Sequence, residues 1–433
     1  MELDQRLCKN FYHIDESEYE NIIQILEDYL GGKENVFDLK NQNLEEKTGV
    51  LGVLCECMPL FYNQEIWFER VHQYMISIVR KMEQNEAASV SLHHGFANVG
   101  LWAECLRKQF GCYSSLTEKI NMRICGAIAE FQAYYASNVR VMTQDFDVIT
   151  GMSGVGNYLL AFSENPDVLP AIQTILEYLV ALTEYKITDG IRLPGWHVSR
   201  ENEPLYEFYR EYGDGYINYS LAHGSAGILA FLTNAYRKGI VIEGQKDAVI
   251  RIVKEHFAWN ERTGGKCWAG IVSRADYADN VHAYVVNRQS WCSGNLSVLF
   301  FLYQAAKEMG LDKEKNQAWM LLKKSARWEI CQFHLKSPII CHGHAGLSAL
   351  FRKLFEESGE SCFLEMAVGL LKTVLQQYDA ETPYGFRNET FPVNGITKFE
   401  DNNTFLDGAA GIMMELSAWI KEQNDFERLL LFP

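Results

Sequence analysis

Positive charge is in short supply in this chain. Lys and Arg number 40 against 56 Asp and Glu, a formal net charge of -16. A general binder of nucleic acid or of an anionic membrane is usually basic, so neither is expected as a bulk partner. The start, MELDQRLCKN, lacks a cationic run followed by an apolar stretch. No secretory signal is therefore expected, and the expected location is cytoplasmic. Long apolar runs are missing too. Nothing approaches ~18 uninterrupted apolar residues, so no transmembrane helix is expected. A paired-cysteine framework is also absent. The 11 cysteines are odd in number and scattered along a large chain. Their ordinary state here is reduced, buried and inert, and a cysteine needs further evidence to escape that reading.

What the chain does have is core-forming material and a repeat. Of 433 residues, 48% are hydrophobic, enough for a large buried core. A short pattern recurs: a small or polar residue, Gly, two or three residues, Gly or another small residue, then an apolar run. It appears as HHGFANVGLW from His93, TGMSGVGNYLLAF from Thr150 and AHGSAGILAFL from Ala222. It returns as WCSGNLSVLFFL from Trp291, CHGHAGLSALF from Cys341 and LDGAAGIMMEL from Leu406. TGVLGVLCECMPLFY from Thr48 is a weaker copy. Glycine and alanine let the backbone turn and approach its neighbours closely. The apolar run that follows reads as a helix buried on every side.

Amphipathic stretches separate the copies. In DESEYENIIQILEDYLGG, Asp15 and Glu18 have capping-box spacing and Ile22, Ile23, Leu26 and Leu30 form a helical stripe. In LDKEKNQAWMLLKKSARW, Asp312 stands as a cap before a stripe through Trp319 and Leu322. Apolar helices alternating with amphipathic ones predict an all-α fold, an α/α toroid with the apolar helices inside, spanning 1–433 as a single catalytic domain. A linear helical solenoid is the alternative, but it needs no helix buried on all sides. The glycine-rich helix starts would then gather at one barrel mouth. Longer gaps, rich in Gly, Tyr, Trp and β-branched residues, precede the copies at Ala222 and Trp291. They read as loops and short strands extending near that mouth. Trp196, Tyr216, Trp268 and Tyr277 are candidates to grip a peptide there, with packing as the plainer alternative.

Cys292 and Cys341-His342 stand at matching points of two successive copies. Zinc favours thiolate and imidazole ligands, and a catalytic site keeps three protein ligands with one position open. Shared register makes Cys292, Cys341 and His342 candidate zinc ligands, one ion per chain. Two buried cysteines and a turn histidine remain the alternative. His344 could replace His342, but His342 holds the pre-glycine slot, where His223 and Asp407 also stand. His223 is a candidate general acid or base, or else a satisfied turn histidine. His94 holds the same slot in the first copy. A coordinated thiol is deprotonated near neutral pH. An open position filled by water would instead make a hydrolase.

The motifs DVITGMSGVGNYLL, LPGWHV, LAHGSAG, NRQSWCSG and CHGHAGL together give a resemblance. The chain resembles the lanthionine synthetase C-like family, the cyclases of class I lantibiotic biosynthesis, over essentially its whole length. The resemblance implies a toroid of seven inner and seven outer helices with one zinc at the mouth. It implies that residues 186–219 form a small inserted subdomain, SH2-like in some members. It carries the zinc ligands onto Cys292, Cys341 and His342, and proposed catalytic roles onto His223, Asp147 and Arg288. The implied reaction is intramolecular Michael addition of peptide cysteine thiols to dehydroalanine or dehydrobutyrine, forming lanthionine or methyllanthionine rings. The implied partners are a dehydrated precursor peptide with its leader, a lantibiotic dehydratase and an ABC transporter at the cytoplasmic face of the membrane. Glutathione addition to dehydroamino acids and a zinc-containing peptide scaffold are the alternatives. One departure is plain: where the family often has Tyr after the zinc-binding cysteine, this chain has Ser293.

Overall fold

A computed structural model gives the structure of the chain and describes residues 3–4, 6–31, 34–84, 89–137, 140–202, 212–268, 270–279, 288–390 and 397–433. It is mostly helical, 61% helix with a few short strands. Among the described residues two kinds of helix alternate. One kind comprises Glu16–Gly31, Gln64–Glu83, Ser114–Ser137, Leu169–Leu182, Gln245–Arg262, Asp312–Ser325 and Ser361–Leu375. The other comprises Leu44–Cys57, Phe96–Phe110, Met152–Leu159, Ser225–Arg237, Asn295–Met309, His344–Ser358 and Ala409–Ala418.

The sequence pattern accounts for the difference. Helix Glu16–Gly31 buries Ile22, Ile23, Leu26 and Leu30 and turns its charged residues outward. Helix Ala409–Ala418 is buried at every position, and Ser225–Arg237 is buried without a break from Ser225 to Thr233. A helix with no polar stripe gains from burial on all sides, at roughly 25 cal/mol per Å² of apolar surface. Asp312 is the first residue of its helix, paired with Lys315, rather than a residue outside it.

The recurring glycines answer a demand for space. Gly224 and Gly343 cap their helices with φ of -135° and -128°, open to any residue. A Cβ on Gly346 or Gly411 would lie 1.9 Å from the carbonyl oxygen of Ile340 or Phe405. Each motif loop therefore lies flat against the first turn of its own helix. The weak copy at Thr48 differs. Asn43 and Glu46 form a reciprocal capping box, so that helix starts at Leu44 and carries Gly49 inside it. Gly49 still serves a close approach, to the Asn403 carbonyl.

The chain divides into two compact units. The first holds Met1–Ala88, Leu101–Ser114 and Ser325–Phe432. Within it the amide of Cys341 donates to the Leu406 carbonyl at 2.9 Å, joining two motif loops. Its interior holds Arg352, paired with Glu356, Glu415 and Glu427. The second holds Ser89–Gly100 and Ser115–Lys324, with Pro433. There the motif loops form a series of backbone bonds: His93 to Ile149, Val148 to Ala222, and Ala222 to Cys292.

The second unit also carries short strands in the two long gaps. Tyr185–Thr188 pairs antiparallel with Ile191–Pro194 across Asp189-Gly190, both with positive φ, the geometry Asp-Gly favours in tight hairpins. Tyr216–Asn218 pairs with Ile271–Ser273. The hydroxyls of Tyr219 and Tyr277 donate to Glu255 at 2.8 and 3.0 Å, and Tyr185 donates to its other oxygen. These bonds fasten the strand region to helix Gln245–Arg262. Of the anticipated subdomain 186–219, residues 203–211 lie outside the described residues. The four aromatics anticipated at a peptide-gripping rim are buried: Trp196 and Tyr216 at 1% exposure, Trp268 at 4%, Tyr277 at 8%. They pack, because ring area is worth more removed from water than lining it. Among the described residues no helix is long and apolar enough to cross a membrane.

Candidate functional site

Asp147 closes the short helix Thr143–Phe146 and is 2% exposed. Its Oδ1 accepts three hydrogen bonds, from the Thr150 amide at 2.8 Å, the Thr150 hydroxyl at 3.0 Å and the Gly151 amide at 2.8 Å. Its Oδ2 faces His223 Nδ1 at 2.7 Å. Asp147 therefore caps its turn with one oxygen and faces His223 with the other. A carboxylate only accepts, so Nδ1 of His223 carries the proton and Nε2 is the acceptor. The imidazole is 38% exposed while its carboxylate partner is 3% exposed. The histidine is thus oriented from behind and open in front.

Cys292, Cys341 and His342 come together. Their sulfur and imidazole ligand atoms all lie within 4.8 Å of one another. Cys292 sits in the turn before helix Asn295–Met309, its carbonyl held by the Ala222 amide at 2.8 Å. Cys341 and His342 precede helix His344–Ser358. Cys292 is buried and Cys341 half-buried, and the His342 ring is 17% exposed. His342 Nδ1 stands 3.6 Å from Asp407 Oδ1. His344 turns away, its Nδ1 bonding the Ser337 carbonyl at 2.9 Å, and burial holds its pKa down. Arg288 is half-buried, shortly before Cys292. His94 stays in its own turn, its amide donating to Ser91 Oγ at 3.3 Å, and the His93 ring packs 5.9 Å from Trp291.

The trio fits a zinc ion. Two thiols and one imidazole are the ligand types zinc prefers. Bonds of about 2.0–2.3 Å at tetrahedral angles place ligand atoms roughly 3.3–3.8 Å apart, inside the 4.8 Å limit that holds for this trio. Two neighbours were given no role at this site by the sequence. Ser290 Oγ lies 3.6 Å from Cys292 Sγ, and Asp407 approaches His342. Asp407 shares the pre-glycine slot of His342, a register signal that pointed to it. Ser290 had no comparable signal.

The chain matches known proteins along most of its length. A family model described as "Lanthionine synthetase C-like protein" matches residues 47–431. The nisin biosynthesis protein NisC of Lactococcus lactis subsp. lactis is 27% identical over 376 residues, 82% of this chain and 84% of that protein. The solved structure of nisin cyclase superimposes with a TM-score of 0.76 at 21% identity, covering 96% of this chain and 98% of the other. That likeness shows the fold to be the all-α, α/α toroid the repeat predicts. A match across 47–431 makes the chain a member of the lanthionine synthetase C-like family, an enzyme of its cyclase type.

Proposed function

We propose that this enzyme is a zinc-dependent lanthipeptide cyclase, acting on a dehydrated, leader-bearing precursor peptide. The observation that carries this reading is the convergence of Cys292, Cys341 and His342 ligand atoms within 4.8 Å in a chain of this family. A zinc ion held by these three residues would supply Lewis-acid activation of the peptide thiol in its open fourth position. The sulfur then adds to the β-carbon of dehydroalanine or dehydrobutyrine. One C–S bond forms, the C=C bond is lost, and the electron pair moves to the α-carbon and its carbonyl. The thiol proton is released and the α-carbon takes up one proton. His223 is the carrier of that proton: with Nδ1 held by Asp147 and its ring open, Nε2 takes up the proton released by the thiol and delivers it to the α-carbon. Asp147 acts through His223, and Arg288 is assigned to the developing enolate oxygen.

We read the whole chain as one catalytic domain, with the 186–219 region as its inserted subdomain. The enzyme works in the cytoplasm with a dehydratase and an ABC transporter that bring it to the membrane face. Family membership supports these assignments. The test combines metal analysis with ring formation. Cys292→Ala, Cys341→Ala and His342→Ala should each lose zinc and lose free-thiol consumption on a dehydrated peptide of unchanged mass. Purification of each variant with about one zinc per chain would overturn the ligand assignment.

A further inference from the structure

Strand Tyr216–Asn218 runs directly into the turn that carries His223. The Asn218 side chain accepts from the Ser220 amide at 2.9 Å, and a Cβ on Gly224 would lie 2.5 Å from the Asn218 carbonyl oxygen. The turn is therefore folded back tightly on the end of the strand. The first residue of the same strand reaches towards Asp147. The hydroxyls of Tyr216 and Thr143 share a hydrogen bond of 2.6 Å, with the two residues 1% and 3% exposed. Thr143 opens the short helix Thr143–Phe146, and its carbonyl accepts from the Asp147 amide at 3.0 Å. One strand thus touches both the turn of the histidine and the helix that presents its carboxylate.

Asp147 is tied to the His223 segment on both sides. After it, the Val148 amide donates to the Ala222 carbonyl at 2.9 Å. Before it, Thr143 is tied to Tyr216. A single bond leaves a turn able to swing about it, and a second on the far side removes that freedom. Tyr216 is a firm anchor for the second. Its amide and carbonyl both bond Val198, at 2.9 and 3.0 Å, and it pairs with Ser273 on the neighbouring strand.

We propose that Tyr216 and Thr143 are positioning residues whose buried hydroxyl pair fixes Asp147 behind His223, so that the strand extension sets the geometry of the proton carrier. The proposal rests on the assignment of His223 to proton transfer above. Both residues act through Asp147 and not on the substrate. A buried phenol needs a hydrogen-bond partner, and meeting that need alone would be a purely structural role. The place of this partner gives it more, one helical turn before the carboxylate that orients the ring. Proton transfer depends steeply on distance, and a misplacement of about 1 Å costs up to about 10²-fold in rate.

Two readouts on the zinc-loaded protein test this. The first is cyclisation of a dehydrated precursor peptide, with kcat and KM separated. The second, independent of turnover, is the NMR resonance of the His223 Nδ1 proton, assigned by its loss in His223→Ala. Tyr216→Phe and Thr143→Val should each lower kcat about tenfold, leave KM within about twofold, and move the Nδ1 resonance upfield as the bond to Asp147 loosens. Thr143→Ser keeps the hydroxyl and should keep the wild-type values. In an Asp147→Asn background Tyr216→Phe should slow the enzyme by no more than about twofold further, because its route to the site is already cut. The Tyr216→Phe/Thr143→Val double variant removes both polar groups together and should stay folded. If that variant keeps the wild-type kcat and an unmoved resonance, the proposal is overturned while the role of His223 stands. An equal slowing by Tyr216→Phe with and without Asp147 also overturns it. Should the double variant not fold, Tyr216→Phe decides alone on the same two readouts. A His223→Ala enzyme with the wild-type kcat overturns the proton-carrier assignment, and this proposal with it.

Discussion

Arg352 and His223 each face a buried carboxylate, yet the two pairs differ in how far they open to solvent. Arg352 has no exposed side-chain surface. Its guanidinium meets Glu415 at 2.9 Å, Glu427 at 2.7 Å and Glu356 at 2.9 Å. Glu415 also accepts from Ser348 at 3.0 Å and from the Trp419 indole at 3.1 Å. Arg352 and Glu415 are closed off from solvent, and such a pair serves the fold. At Asp147 the carboxylate is just as buried, but its partner imidazole is 38% exposed. A buried anion behind a half-open base is an arrangement that can move a proton. Exposure of the basic partner is what the proposed proton carrier has and the Arg352 cluster lacks.

The comparison breaks most sharply on rate. His223→Ala should slow ring formation by about 10²–10⁴-fold while leaving the melting temperature close to wild type. Asp147→Asn should slow it less, because the ring stays in place but loses its orienting charge. A His223→Ala enzyme cyclising a dehydrated peptide at the wild-type rate would end the assignment.

Arg352→Met should show the reverse pattern. Leaving Glu415 buried without its cation costs about 3–5 kcal/mol, read from the urea midpoint. Zinc content and turnover of the folded fraction should persist. A variant as stable as wild type would show the cluster to be dispensable.

A second histidine sharpens the contrast with His223. His256 is fully buried, its Nδ1 donating to the Trp268 carbonyl at 3.2 Å and its Nε2 accepting from Ser225 at 3.0 Å. Burial pushes its pKa down to about 4, against a small upward pull from the Trp268 carbonyl. The folded pKa lies below the unfolded value near 6.5, so the neutral ring stabilises the fold above that value. The contribution, about 3 kcal/mol, is lost as pH falls from roughly 6.5 towards 4. Denaturation midpoints at pH 7 and pH 4.5 should diverge in the wild type and converge in part in His256→Gln. Equal pH sensitivity in the two would show that His256 is not the titrating group.

The smallest effects separate two kinds of glycine. Gly411→Ala should cost about 1–3 kcal/mol, since its Cβ would lie 1.9 Å from the Phe405 carbonyl. Gly126, within helix Ser114–Ser137, has open space where a Cβ would stand. Gly126→Ala should raise stability by about 0.5–1 kcal/mol. Calorimetric scans giving both variants the same sign would refute the close-approach account of the repeat.

Much of the fold was legible in the residues. Glycine followed by a wholly apolar run is a local demand: the backbone must pass close by, and the helix must be buried. Each copy states that demand independently, so the alternation of helices could be read along the chain. The motif at Thr48 did not mark the helix start at Leu44, because the capping box of Asn43 and Glu46 lies upstream of it. The choice between an aromatic rim and packing stayed open because side-chain type does not encode exposure. Trp196 and Tyr277 are as fit for a core as for a groove, and only their neighbours decide.

By itself, the sequence determined the alternating helix pattern, the places where backbone must touch backbone, and the two cysteines and histidine in matching register. Those follow from steric and hydrophobic requirements that act within a few residues. The tertiary structure alone decided that Asp147 divides its oxygens between a turn and His223, that Glu415 locks Arg352, and that Ser290 leans on the Cys292 sulfur. Each of these is a distance between side chains on different turns or different elements. Hydrogen bonds and ion pairs depend on ångström separations that only packing sets, and no spacing along the chain records them.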